Sequence, residues 1–186
     1  LMTTSRTSLK AARIKYADDY NPILEYWHEI ENGLAVSDKI RRTFKKLADD
    51  VENGGEFFYS PPRANHALEF IENYCKHSKG KMGGKPVRLE LWEKAILAAI
   101  FGFIDADGLR KYREAVLIVA KKNGKSLIAS AVGLYLLSAD GEPGPEVYAV
   151  ATKRDQAKII WLESKRMRNK SPTLRKRIKA LVAELN

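Results

Sequence analysis

The sequence predicts an α/β fold: a helical amino-terminal lead over residues 1–80, then an incomplete parallel sheet flanked by helices. Three observations carry that reading. The first 80 residues or so show helical periodicity interrupted by Asn-Gly breaks. Two apolar runs, Ala115 to Ala120 (AVLIVA) and Glu146 to Ala151 (EVYAVA), have the unbroken character of strands buried on both faces. Each run is followed by a helical pattern, and an order of strand, helix, strand, helix implies parallel strands joined by a right-handed crossover.

In the lead, helices are expected over Leu9 to Tyr20, Pro22 to Glu31, Ser37 to Val51 and Arg63 to His77, with Ser37 as a cap. Asn32-Gly33 and Asn53-Gly54-Gly55 separate them. The stretch Ser78 to Lys85 (SKGKMGGK) reads as a linker or mobile loop, placed at residues 81–87, before a second unit over 88–186. Leu89 to Phe103 follows as a helix whose Trp92, Ala95, Ile96, Ala99, Ile100 and Phe103 recur at the spacing of a core-facing stripe. Asp105-Ala106-Asp107-Gly108 lacks the remaining acids of a calcium loop and reads as a turn. Leu127, Ile128, Ala131, Val132, Leu134, Tyr135 and Leu136 mark the next helix, Asp140 to Pro145 a turn, and Arg154 to Asn169 the last helix.

Composition narrows the function. The single Cys75 excludes an internal disulfide, no stretch approaches the length of a membrane span, and LMTTSRTSLK has no apolar signal region. An intracellular protein is the expectation. Cys75 and His77 lie close together, but a metal site needs two further ligands that the spacing does not offer. The net charge of +10 is concentrated: Thr152 to Asn186 holds eleven Lys and Arg against Asp155, Glu163 and Glu184, a net +8 that leaves +2 for the rest. Such an end suits either a polyanionic partner, nucleic acid being the commonest, or a solvated helix face.

The chemistry-bearing stretch is VAKKNGKS, Val119 to Ser126, between the first apolar run and its helix. Gly124, Lys125 and Ser126 supply the end of the GxxxxGK[ST] pattern, while Val119 stands at its first glycine. Backbone N–H groups at the positive end of a helix can surround a polyphosphate where a glycine allows close approach. Lys125 would neutralise phosphate charge, and the Ser126 hydroxyl is placed to ligate Mg²⁺. Taken alone, the incomplete pattern also fits a lysine-rich turn.

The surrounding segments distinguish the two. AKKNGKS, Ala120 to Ser126, resembles a Walker A variant without the first glycine. LELWEKAILAAIFGF, Leu89 to Phe103, resembles an adenine-side motif that normally reads tryptophan-glutamine before an apolar helix. EVYAVATKRDQAKII, Glu146 to Ile160, is similar to the strand and helix after Walker A, with its glutamine-alanine pair at Gln156 and Ala157. In this order the chain resembles, almost end to end, the large terminase subunit of tailed double-stranded DNA phages and prophages, the ATPase that drives genome packaging. Two positions depart from the family pattern. Glu93 replaces the usual glutamine and cannot donate to a ring nitrogen, and Lys121 replaces an arginine, giving a point charge instead of a planar fork.

The resemblance implies a P-loop NTPase sheet with ATP and Mg²⁺ as cofactors. It implies that Lys125 binds phosphate, that Ser126 holds Mg²⁺, and that the Asn123 and Gly124 backbone cradles the β phosphate. Lys121 or Lys122 would act on the γ phosphate, and Trp92 and Glu93 would border the base, although Trp92 fits the apolar face of its helix equally well. Implied partners are double-stranded DNA, a small terminase subunit, a portal protein and further copies in a homo-oligomeric ring, in the host cytoplasm and without a membrane. A nuclease domain is expected outside this stretch. No apolar run ending in Asp-Glu follows Ser126, so the chain is expected to be an amino-terminal part, truncated before the acidic strand and unable to turn over ATP alone. The alternatives are a helicase-like P-loop translocase and a non-enzymatic basic DNA-binding module.

Overall fold

The computed structural model describes residues 13–179. Helix α1, Pro22–Glu31, starts where the Asn21 side chain accepts from the N–H groups of Ile23 and Leu24 at 3.1 and 3.3 Å, with Pro22 fixing the first turn. It stops at Asn32, and Gly33 carries the positive φ of 101° that lets the Leu34 N–H return to the Glu29 carbonyl. Helix α2, Asp38–Glu52, is capped by Ser37 as expected and buries only Phe44, Leu47 and Ala48, so most of its charged surface faces solvent. Strand β1, Phe58–Tyr59, leads into helix α3, Pro61–Tyr74, and helix α4 spans Leu91–Gly102.

Helix α4 is the axis of the molecule. It is buried on more than the expected stripe: Leu97 and Phe101 enter one core, while Ala95, Ala98 and Ala99 enter another. The second core joins them to Ile23 and Ile30 of α1, Phe44 and Leu47 of α2, and Phe103. The first joins α3 (Ala67, Leu68, Phe70, Ile71) to helix α5, Lys125–Ser138, through Ile128, Ala131, Leu134 and Tyr135. Met167 of helix α6, Arg154–Lys170, and Leu174 of helix α7, Pro172–Arg177, complete it. Burial of this many aliphatic and aromatic side chains, each contributing about 1.5–3 kcal/mol, is what holds the helices together. Tyr135 is the hub of the first core. Its ring meets Phe70 and Phe101 edge-on, and its hydroxyl lies 3.1 Å from His66 Nδ1 in a hydrogen bond.

Two expectations are corrected. The helix over Leu9 to Tyr20 is not formed where it is described: Leu9 to Ala12 lie outside the described residues, and 13–20 are non-helical. Side chains of α3 take the backbone groups such a helix would need. Asn73 exchanges two hydrogen bonds of 2.8 Å with Ile14, Glu69 accepts from the Tyr16 N–H at 2.8 Å, and Asn65 donates to the Ala17 carbonyl at 3.0 Å. The parallel sheet is likewise absent among the described residues. The sheet present is a two-stranded antiparallel pair, β1 with β2, Phe103–Ile104, in the register Phe58↔Ile104 and Tyr59↔Phe103. The runs Ala115 to Ala120 and Glu146 to Ala151 belong to no ladder, and Val116, Ile118 and Val150 are 86, 90 and 90% exposed. A helix closes its own hydrogen bonds, whereas a strand needs a neighbour to pair with.

The stripe read on α4 does face the cores: Ala95, Ala99 and Phe103 are buried, and Trp92, Ile96 and Ile100 pack half-buried against them. Ser78 to Lys85 forms a closed hairpin loop above an isolated bridge between Lys76 and Pro86. The His77 N–H donates to the Lys85 carbonyl at 2.9 Å and the Gly84 N–H to the His77 carbonyl at 2.8 Å. Asp105 closes the turn read from the sequence, its Oδ1 accepting from the N–H groups of Asp107 and Leu109 at 3.0 and 2.8 Å.

Candidate functional site

The loop from Val119 to Gly124 opens directly into α5, so its geometry is set by how that helix begins. Gly124 is the N-cap, at φ 71°, and brings no side-chain acceptor to the first turn of α5. The N–H groups of that first turn have no intrahelical partner and point out of the helix at its positive end. Lys122 also adopts the left-handed region, at φ 69°, where a side chain costs about 1–2 kcal/mol. Two left-handed residues within three positions curl the chain tightly before the helix.

Lys125 folds across the neck of this loop. Its Nζ donates to the Val119 carbonyl at 2.8 Å and to the Ala120 carbonyl at 3.1 Å, so the ammonium is held against the segment that leads into the loop while the side chain stays exposed. Ser126 follows in the first turn with its side chain exposed, as are Lys121, Lys122 and Asn123. Lys121 and Lys122 have no ion-pair partner among the described residues. Three exposed lysines, one of them bound to the loop's own carbonyls, thus surround a helix N-terminus.

Glu93 completes the neighbourhood from α4. Its Oε2 accepts from the Glu90 N–H at 2.9 Å in a capping box, and its Oε1 lies 3.4 Å from where a Cβ on Gly124 would be. Burial pushes the Glu93 carboxyl above the ordinary carboxylate range, the Glu90 charge adds to that, and the hydrogen bond from the Glu90 N–H opposes it. The structure therefore brings Glu93 to the loop glycine. Trp92 is seated half-buried against the core that α4 shares with α3 and α5. Sequence spacing gave no sign of the Glu93–Gly124 approach, because the two lie on separate elements.

The donor set fits a polyphosphate and is sparse for a metal. A helix N-terminus, a glycine that admits close backbone approach and a lysine held at the loop neck are the parts a phosphate needs. Among the described residues no three His, Cys, Asp or Glu side chains converge on a point, so Mg²⁺ here would depend on Ser126, phosphate oxygens and water. A groove of about 610 Å³ lies between α5 and α6 under Val147 to Val150, lined by Val132, Leu136, Ala157 and Trp161. It contains none of the loop residues and is not the phosphate seat.

Comparison with known proteins places these features. Residues 91–184 match the family model described as the terminase large subunit, ATPase domain, a span that takes in the start of α4, the loop, α5 and α6. The chain is also similar to a protein of Enterobacteria phage HK97 described as "Terminase, large subunit", with 30% identity over 113 residues. That match covers 60% of this chain and 21% of the HK97 protein. No solved structure matches the chain.

Proposed function

The chain belongs to the large terminase subunit family, and from that premise we propose that it forms the nucleotide-binding part of a motor that uses ATP to package double-stranded viral DNA. The observation that carries the proposal is the loop itself: Gly124 in the left-handed region at the head of α5, with Lys125 hydrogen-bonded across the loop neck. ATP bound here would supply the phosphoryl group whose transfer drives the motor.

The residues act as follows in this reading. The backbone N–H groups of Asn123 to Ser126 receive the β phosphate, and Lys125 exchanges its contacts with the Val119 and Ala120 carbonyls for phosphate oxygens. Ser126 holds Mg²⁺. Lys121 and Lys122, both exposed and unpaired by acids among the described residues, neutralise the γ phosphate, and Glu93 with Trp92 borders the nucleotide from α4. A second acid beside Ser126 is what hydrolysis in such sites requires. The carboxylate the described residues bring to the loop is Glu93, whose capping role ties it to α4, so this chain alone binds nucleotide without turnover. A small terminase subunit, a portal protein and a ring of copies are the partners this role implies.

Titration of the chain with Mg·ATP, followed calorimetrically, tests the proposal. Lys125→Ala is expected to weaken binding at least tenfold, corresponding to about 1.4 kcal/mol or more, with the melting temperature nearly unchanged. Equal binding by the wild type and Lys125→Ala would refute it, and a turnover assay showing sustained phosphate release would refute the hydrolysis part separately.

A further inference from the structure

Two basic segments distant in sequence meet on one face. From Lys76 to Leu89, both included, the chain has five Lys and Arg and no acid, and the hairpin loop holds Lys79, Lys81 and Lys85 exposed. Ser78, at the start of that loop, donates its hydroxyl proton to Glu163 of α6. Arg166 and Lys170 lie three and seven positions after Glu163, hence on the same side of α6, and both are exposed.

Each junction is fixed by buried groups. Cys75 and Val87, flanking the Lys76–Pro86 bridge, share the first core with Met167 of α6 and Leu174 of α7. Arg168 ties α7 to α6, its Nε donating to the Ile178 carbonyl at 2.8 Å and its Nη2 to the Arg175 carbonyl at 3.1 Å. That bond holds Arg175, Lys176 and Arg177, all exposed, beside the helix. The acid at this junction, Glu163, is 8% exposed and already engaged by Ser78 and, at 4.0 Å, by Arg166. Apart from Arg166, which Glu163 meets at 4.0 Å, the cations of this face have no ion-pair partner among the described residues.

We propose that the hairpin Lys79/Lys81/Lys85, with Arg166, Lys170 and the α7 cations, forms one surface that grips the phosphate backbone of a nucleic acid duplex. The identity of the polyanion rests on the packaging reading above; the surface itself rests on the packing. A duplex fits better than a single strand because neither the hairpin nor α7 offers an aromatic ring for stacking. The ring on α6, Trp161, is half-buried and covered by Lys165, whose Nζ lies 4.9 Å from the ring centroid. Backbone gripping of this kind is independent of sequence and falls steeply with salt.

The test is the binding of the whole chain to a short blunt duplex of random sequence, followed by fluorescence anisotropy across a salt series. Lys79→Gln/Lys81→Gln/Lys85→Gln is expected to lower the slope of log affinity against log salt by up to about 3, and Arg166→Gln/Lys170→Gln by up to about 2, at roughly 0.9 for each phosphate no longer neutralised. Lys39→Gln/Lys45→Gln on α2 should leave the slope unchanged. Amine acylation of the wild type needs no variant: the duplex should protect Lys79, Lys81, Lys85 and Lys170 and leave Lys39 and Lys45 reactive. Slopes equal to the α2 control, uniform acylation, or tighter binding of single strands than of the duplex would each overturn the assignment. Mg·ATP titration of the same variants separates the two ideas. Retained nucleotide binding with unchanged DNA slopes overturns this surface alone, whereas a wild type that binds duplex but no nucleotide overturns the loop reading alone.

Discussion

Glu93 reaches the loop with one carboxylate oxygen committed to the Glu90 N–H and the other directed at Gly124. Its raised pKa has a definite consequence for stability. A buried acid whose folded-state pKa lies above its unfolded value binds its proton more tightly when folded, so its ionisation opposes folding. The penalty is absent below the unfolded pKa, grows as pH rises through the interval between the two values, and is complete above the folded one. Glu93→Gln removes the charge and keeps a carbonyl oxygen for the Glu90 N–H. Urea denaturation should therefore find this variant more stable than the wild type at about pH 8, with the difference shrinking toward about pH 4, where both forms are largely neutral. An equal difference at both values would show that the effect is one of packing.

At the scale of elements, what the sequence disclosed depended on how local the determining contacts are. The starts of α1 and α2 were legible because Asn21, Pro22 and Ser37 act within a turn of themselves. The turn into α5 was legible for the same reason, its glycine, lysine and serine being contiguous. The course of residues 13–20 was not, since it is imposed by Asn65, Glu69 and Asn73 from α3. Nor was the β1–β2 pair, whose two-residue strands are too short for any periodicity. Helix α7 was missed although Ser171 caps it, because basic residues crowd its one buried position, Leu174.

Glycines show how tightly these elements close on one another. A Cβ on Gly102, at the end of α4, would lie 2.5 Å from Tyr59 Cε2 and 3.1 Å from the Ala64 Cβ, and the Tyr59 ring has Phe103 packed against it. Gly102→Ala is expected to cost about 1–3 kcal/mol by forcing that ring aside. Gly133, inside α5, is the contrast: its Cβ would meet Val147 Cγ1 at 3.6 Å, an ordinary contact. Gly133→Ala should raise stability by about 0.5–1 kcal/mol through the helix backbone alone. Thermal melts of the two variants check both, and a Gly102→Ala protein as stable as the wild type would mean that β1 yields freely.

Across the whole molecule the two cores on either side of α4 are well covered, and the exposed apolar surface is concentrated in the two runs that form no ladder. Val116, Ile118, Tyr148 and Val150 are 75 to 90% exposed, and AVLIVA combines β-branched residues with neither charge nor proline. Such segments pair edge to edge when copies meet. Two features oppose that pairing: the charged residues Arg113, Glu114, Lys121 and Lys122 that bracket the first run, and a net charge of +10 that keeps copies apart. Charge repulsion is screened over about 10 Å at 0.1 M salt and over about 3 Å at 1 M, while apolar pairing is not. The chain is therefore expected to stay monomeric at low ionic strength and to self-associate as salt is raised, the opposite of the salt response of its duplex binding. Sedimentation velocity over that salt range, on the wild type and on Val116→Lys/Val150→Lys, separates the causes. The variant should remain monomeric where the wild type has begun to associate, and matching profiles at every salt concentration would exonerate the two runs.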